Sequence, residues 1–235
     1  MKQKIDAFYK KVEKYGGWQQ VPAERVYALF QEVVQPTKLG FAAGKPGIVA
    51  RPVDGDIAHV LKLRPLKGAA YDICFGLSLS YVPYPYVPKL KWHRTVKSAN
   101  LDLFEAPQVH WAFDGASENA EEVNPYLISV SLGDKCFREE LSRAWEKSSP
   151  QANSWFEATR SLESVAQKCV EQLRRKQDGV RHLPGARLVH AFTLAKLGQR
   201  EKAESELVTF LKEYQETEQA STNLRSALQG ISLNA

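Results

Sequence analysis

Apolar residues at helical spacing open the chain. Ile5, Phe8, Tyr9, Val12 and Tyr15 fall on one side of a helical repeat, and Gly16-Gly17 stops it. A second helix is predicted from Pro22, which suits a first helical turn. Val26, Leu29, Phe30 and Val33 form its apolar stripe, and Pro36 ends it. The period then drops to two. Tyr71, Ile73, Phe75, Leu77, Leu79 and Tyr81 alternate with Asp72, Cys74, Gly76, Ser78 and Ser80. That pattern predicts a half-buried strand with one polar face. Ile57 to Leu63 is its expected partner through a turn at Lys67-Gly68. Gly47 to Val53 is an earlier strand joined through Asp54-Gly55, a strong hairpin signal.

Leu101, Leu103, Val109, Trp111 and Phe113 resume the alternation, with Pro107 marking a break or an edge, and Tyr126 to Leu132 adds a short strand. No long helix separates these segments, so the sheet is predicted to be antiparallel, with four to six strands.

Beyond residue 133 the helical period returns. Asp134 is placed to cap a helix whose inner face is Phe137, Leu141, Ala144 and Trp145. Ser154 and Glu157 have the spacing of a capping box. Behind them Trp155, Thr159, Leu162, Ala166, Cys169 and Leu173 run along one face of a long helix that Asp178-Gly179 stops. Two further helices, about 185–197 and 200–215, meet at Gly198, and a short one starts at Ser221. The fold class is therefore α+β: two N-terminal helices, an antiparallel sheet and a C-terminal helical region. Residues 1–178 read as the α+β domain, and 179–235 as a helical hairpin region packed on it.

Composition changes the picture little. A 43% hydrophobic and 25% charged chain of 235 residues has ordinary globular values. Cys74, Cys136 and Cys169 are odd in number and unpaired by spacing, which predicts a reducing, cytoplasmic setting and not a disulfide framework. The lysine-rich start has no apolar run typical of a signal peptide, and no apolar stretch reaches a bilayer span. The net charge of +5 is mildly basic, a value shared by nucleic-acid binders and by proteins that bind none.

The candidate chemistries are mostly excluded by spacing. Gly40 to Pro46 imitates a phosphate loop, but it is one residue short and Pro46 stands where a magnesium-binding hydroxyl is needed. Gly76-Leu77-Ser78-Leu79-Ser80 lacks the second glycine of a nucleophile elbow. His59, His93, His110, His182 and His190 show no metal-ligand spacing, so neither metal nor cofactor is expected. Ala191, Leu194, Gly198, Ala203 and Leu207 have the spacing of one tetratricopeptide unit, which alone makes a packed hairpin and no groove.

The unusual stretch is Tyr81 to Lys97. It reads Tyr-Val-Pro-Tyr-Pro-Tyr-Val-Pro, followed by Lys89, Lys91, Trp92, His93, Arg94 and Lys97. Its aromatic rings could stack on bases while its cations meet phosphates, and its prolines would hold it extended. As a long hairpin connection its tyrosines would pack on the sheet edge and its lysines would solvate it. Tyr84, Tyr86, Lys89, Lys91, Trp92, His93 and Arg94 are the candidate binding residues. A protein partner is favoured over nucleic acid, and an enzymatic site assembled from His59, His93, Asp102 and His110 is the third class.

The stretch Val34 to Phe41, the strand Ile57 to Leu63, the apolar strand Ala70 to Leu79 and the later Trp155-Phe156 together resemble the bacterial domain-of-unknown-function family 4304. The resemblance covers about residues 20–175. It implies a fold and no established activity. Its bacterial character suggests a component of an immunity or defence system.

Overall fold

Turn chemistry sets the sheet. The computed structural model describes residues 9–66, 69–86, 89–105, 126–175, 184–214 and 217–231. Strands β1 (Ala42–Ala43) and β2 (Ile48–Pro52) lead to β3 (Ile57–Leu66) through a turn closed by Asp54. Its Oδ1 accepts the backbone N–H groups of Asp56 and Ile57, both at 2.7 Å. This is the side-chain mimic of a turn that aspartate is suited to make. β3 pairs with β4 (Ala70–Leu79) from Ile57↔Leu79 to Leu66↔Ala70. Strands β5 (Pro83–Tyr86) and β6 (Lys89–Trp92) form a separate hairpin. β7 (Leu103–Glu105) and β8 (Ile128–Ser129) both pair with β4, giving a six-stranded antiparallel sheet of order β1-β2-β3-β4-β7 with β8 beside β4.

Residues 9–14 are helical (α1) and end at Gly16 and Gly17, both at positive φ. α2 (Ala23–Val34) follows, with Pro22 as its N-cap and Val34, in place of Val33, in its buried stripe. The C-terminal half is α3 (Gly133–Glu157), α4 (Leu162–Arg174), α5 (Gly185–Lys196), α6 (Arg200–Tyr214) and α7 (Glu218–Gln229). α3 packs between α2 and the sheet, α4 to α6 stack in sequence, and α7 closes on the β5–β6 hairpin. A continuous apolar cluster runs from Val21 through the sheet to Leu228. The α+β class, the two helices near the N-terminus, the antiparallel sheet and the helical C-terminal region are as the periodicities predict.

Three local expectations are corrected. First, β4 has no solvated face. All but one of its residues are buried, because the segment after β6 lies across its polar side and packs Ala99, Leu101, Val96 and Phe104 against Ile48, Ala50, Val60 and Cys74. The close crossing requires Gly76: a Cβ there would meet the Leu103 carbonyl oxygen at 2.3 Å. Buried Asp72 is satisfied by Arg64, whose Nε and Nη2 donate to its two oxygens at 3.0 and 2.5 Å.

Second, Ser154 does not start a helix. It lies exposed within α3, which runs unbroken through Pro150 because Ala152, Trp155 and Phe156 are buried beneath it. A proline there leaves the Glu146 carbonyl without its helical donor, and tertiary packing overrides that cost. The cap belongs to Ser161, whose side chain accepts from Ser164 N–H at 3.3 Å. Leu162 is only half-buried, and Val165 and Cys169 carry the inner face of α4. Third, the last helix starts at Glu218, capped by Thr217, and not at Ser221.

These caps make a direct comparison. Ser161→Ala is expected to cost ~0.5–2 kcal/mol, and Ser154→Ala less than about 0.5 kcal/mol. Urea unfolding monitored by circular dichroism checks it; a larger loss at Ser154 would put the helix boundary in the wrong place. The predicted Lys67-Gly68 turn, the alternation at Val109, Trp111 and Phe113, the Asp178-Gly179 stop, and the positions His110 and His182 lie outside the described residues.

Candidate functional site

Tyr81 to Lys97 is built structure and not an open connection. Pro83 and Pro85 have no N–H to give, so β5 can donate to the ladder only from Tyr84 and Tyr86, which lie opposite Lys91 and Lys89. The same prolines leave the outer edge of β5 without donors at those positions, which blunts it against pairing with a foreign strand. Pleating separates the two faces. Pro83 and Pro85 are buried, and Leu90 and Trp92 pack against the main core. α7 lies against both strands, with Ala220, Leu224 and Leu228 buried. The other face carries half-buried Tyr84 and exposed Lys89 and Lys91.

The hairpin is tied down at both ends. At its start Tyr81 is buried, and its hydroxyl lies 3.0 Å from Thr193 Oγ1 on α5. Thr193 itself donates to the Val189 carbonyl, so Tyr81 is the donor in that pair. Burial pushes the Tyr81 phenol well above its ordinary range. Nearby, Asp56 accepts from Ser80 at 2.8 Å and pairs with Lys196 at 2.9 Å, linking the β2–β3 turn to α5. At the far end the Arg94 guanidinium lies 4.6 Å from the Trp92 ring centroid, and His93 Nδ1 lies 3.1 Å from Oδ1 of fully buried Asp102. The other Asp102 oxygen accepts Leu79 N–H at 2.7 Å. Burial raises the Asp102 carboxyl above its ordinary range, while His93 and the Leu79 N–H pull it down. The Tyr84 and His93 rings are 6.1 Å apart.

The predicted residues are thus brought together on one element but divided in role. Trp92 is half-buried, packing on the core with the Arg94 guanidinium over its ring. Lys89, Lys91 and Arg94 are exposed, as is Lys97 on the 3-10 turn Val96–Ser98. The chain contains no Asp or Glu between Asp72 and Asp102, so the hairpin strands themselves carry no acid. Several cations elsewhere on the surface are paired, as in Arg25 with Glu32 and Asp134, Arg175 with Glu105, and Arg187 with Glu206 and Glu213. Lys89 and Lys97 have no carboxylate within salt-bridge reach among the described residues.

The enzymatic grouping is only half assembled. His93 meets Asp102, but His59 faces Arg51 and Phe156 instead. Among the described residues no hydroxyl or thiol bonds to the His93 ring, and the Ser78 hydroxyl lies on the Asp102 side of the pair. In the Gly40–Pro46 stretch the Gly40 and Phe41 N–H groups close the preceding 3-10 turn, and Gly44 N–H donates to the Ile48 carbonyl at 3.0 Å in the β1–β2 turn. Ser78 is buried, one residue from the end of β4 and not at its middle. A cavity of about 330 Å³ between α5 and α6 is lined by His190, Leu194, Gln199, Lys202, Ser205 and Glu206. Its Glu206 is already held by Arg187 at 2.7 Å. Among the described residues no three His, Cys, Asp or Glu side chains are grouped to hold a metal. The three thiols are free and buried, and burial raises them above their ordinary range. No helix among the described residues is long and apolar enough to cross a membrane.

Sequence reasoning grouped His93 with Asp102 among four residues, and these two meet in the structure. The signal available was weak: Asp102 is the lone acid closing a long acid-free stretch. Comparison with known proteins finds no matching family model, no similar curated protein and no similar solved structure.

Proposed function

We propose that the protein is a non-catalytic interaction protein that docks an acidic protein surface on its β5–β6 hairpin. The supporting observation is the acid-free stretch: Lys89, Lys91, Arg94 and Lys97 stand exposed on an element clamped to α5, α7 and Asp102. A rigid presentation lowers the ordering cost of binding. Exposed positive charge favours an anionic partner and steers its approach. A protein is preferred to nucleic acid because two of the aromatic residues, Tyr81 and Trp92, work inside the fold. Tyr81 is buried and Trp92 packs on the core, whereas single-strand binding draws on rings open to stack on bases.

The test is a titration with poly-L-aspartate and with a single-stranded oligonucleotide of matched charge, at two salt concentrations. The wild type is expected to bind the polypeptide at low salt. Replacing Lys89, Lys91 and Arg94 together by alanine is expected to weaken it by roughly tenfold or more and to flatten its salt dependence. Undiminished binding by the triple variant removes this surface from the reading. Preference for the oligonucleotide would favour the nucleic-acid alternative instead.

A further inference from the structure

Lys62 is a half-buried cation without a partner. It stands on β3, opposite Ile48 of β2 on one side and Cys74 of β4 on the other, on the sheet face that residues 96–104 partly cover. Its stem thus lies beside apolar side chains while the amine reaches outward. Among the described residues Lys62 makes no hydrogen bond and no ion pair. Its Nζ is not one of the polar atoms buried without a partner, so it opens to solvent. Burial keeps the Cys74 thiol neutral, and the charges acting on Lys62 are then those of Arg64 and Lys45, both positive. Burial first, with those two cations adding to it, holds the amine below its ordinary range. A cation partly removed from water costs free energy until an anion meets it.

Arg64 supplies fixed donors beside it. It lies two residues further along the same face of β3, roughly 6.5 Å along the strand. Its Nε and Nη2 occupy the two oxygens of Asp72, and the Phe104 ring centroid lies 5.7 Å from the guanidinium carbon. Those contacts hold the plane of the fork. Nη1 is left over: it has no partner among the described residues and is not buried, so its two N–H groups face solvent. Lys45, from the turn between β1 and β2, adds a third cation whose Nζ has only a long contact, 3.5 Å, to the Ser98 carbonyl. Three cations thus stand around one carboxylate, and Asp72 is already spent on Arg64. The surplus of positive charge suits a dianion better than a single carboxylate. We infer that Lys62, Arg64 Nη1 and Lys45 form a subsite for a phosphate dianion, free or carried on an ester. Lys62 contributes the charge, Arg64 the oriented N–H pair, and Asp72 positions Arg64 without touching the ligand. None of these residues belongs to the hairpin surface, so the inference stands apart from the docking reading.

The experiment titrates the protein with inorganic phosphate, methyl phosphate and acetate at about pH 7.5 and low ionic strength, followed by calorimetry. Wild type is expected to bind inorganic phosphate at least roughly tenfold more tightly than acetate. Lys62→Met keeps the stem and removes the charge, and is expected to weaken phosphate binding by roughly tenfold. Arg64 is left unchanged, because its loss would strand Asp72 as a buried, unpaired charge. Methyl phosphate binding as well as inorganic phosphate supports an esterified ligand, and binding of inorganic phosphate alone supports the free ion. Undiminished phosphate binding by the methionine variant, or a wild type that does not prefer phosphate to acetate, overturns the inference. Wild type also gives a measurement that needs no variant. An N-hydroxysuccinimide ester acylates uncharged amines, and a bound dianion raises the pKa of the amine it contacts and covers it. Peptide mass spectrometry is expected to show acylation of Lys62 slowed several-fold by saturating phosphate, while exposed Lys202 on α6 reacts as before. Equal rates at Lys62 with and without phosphate overturn the inference whether or not the methionine variant folds.

Discussion

Phe156→Ala is expected to destabilise the protein by ~3–5 kcal/mol, enough to lower the melting temperature by roughly 10 °C in a domain of this size. Phe156 is 2% exposed at the C-terminal end of α3. Its ring joins elements distant in sequence: Phe41 at 5.9 Å, Phe75 on β4 at 6.2 Å, Trp155 at 6.0 Å, and His59 on β3, stacked at 4.5 Å. Truncation removes the transfer free energy of the ring and leaves a cavity whose walls belong to sheet and helix backbones, which cannot both close in. It also uncovers the imidazole beneath. Chemical unfolding measures the loss. A change below about 1 kcal/mol would mean that the end of α3 is not seated on the sheet.

That contact shows which parts of the fold were legible from the chain. β3, β4 and α2 announce themselves because their apolar periods are set by burial against one partner, and Asp54-Gly55 fixes the β2–β3 turn locally. The end of α3 is different. Ser154 and Glu157 carry a local capping signal, yet the segment stays helical because Ala152, Trp155 and Phe156 find the sheet. A long-range contact outweighs a cap of about 1 kcal/mol, and no window of local sequence contains the sheet. The polar face of β4 fails for the same reason. Asp72, Cys74 and Ser78 read as solvent-facing by alternation, but residues 96–104 cover them, and only Gly76 hints at that close crossing.

The candidate surface was legible as composition and not as geometry. The cations after Pro88 and the prolines before it mark the stretch in one dimension. Whether Trp92 points out to stack or in to pack depends on the pleat of a hairpin and on α7, which begins well over a hundred residues later. Pairing of His93 with Asp102 likewise depends on the return of the chain across β4. Residues nine apart on two different segments have no helical or strand period to connect them.

Acid is expected to destabilise the protein through His59. The ring is 1% exposed, and Arg51 Nη2 lies 3.2 Å from its Nδ1. Guanidinium can only donate, so Nδ1 is the acceptor and the neutral ring carries its proton on Nε2. Nε2 is buried and makes no hydrogen bond of normal geometry, with the Phe156 and Thr159 carbonyls as weak acceptors near the ring. Adding a second proton would abolish the Arg51 bond and place a new cation in a dry site beside it. Burial first, then Arg51 and Arg160, lower the pKa of His59 from 6.5 to about 4, against the smaller opposing pull of the Phe156 and Thr159 carbonyls. The unfolded chain takes up the proton near the ordinary value and the folded chain does not. The contribution of His59 is therefore neutral above about pH 6.5, grows as a penalty between there and about pH 4, and levels off below at about 3 kcal/mol. His190, also lowered by burial, acts in the same direction, and Asp102, raised, acts in the opposite one. The difference between wild type and a non-titrating His59→Gln variant isolates the effect. Urea unfolding of both between pH 7 and about pH 4 is expected to show wild type losing stability faster, by nearly one proton per molecule across that window. Parallel curves would show that the folded protein admits the proton at this site and that the ring is not held neutral by its packing against Phe156.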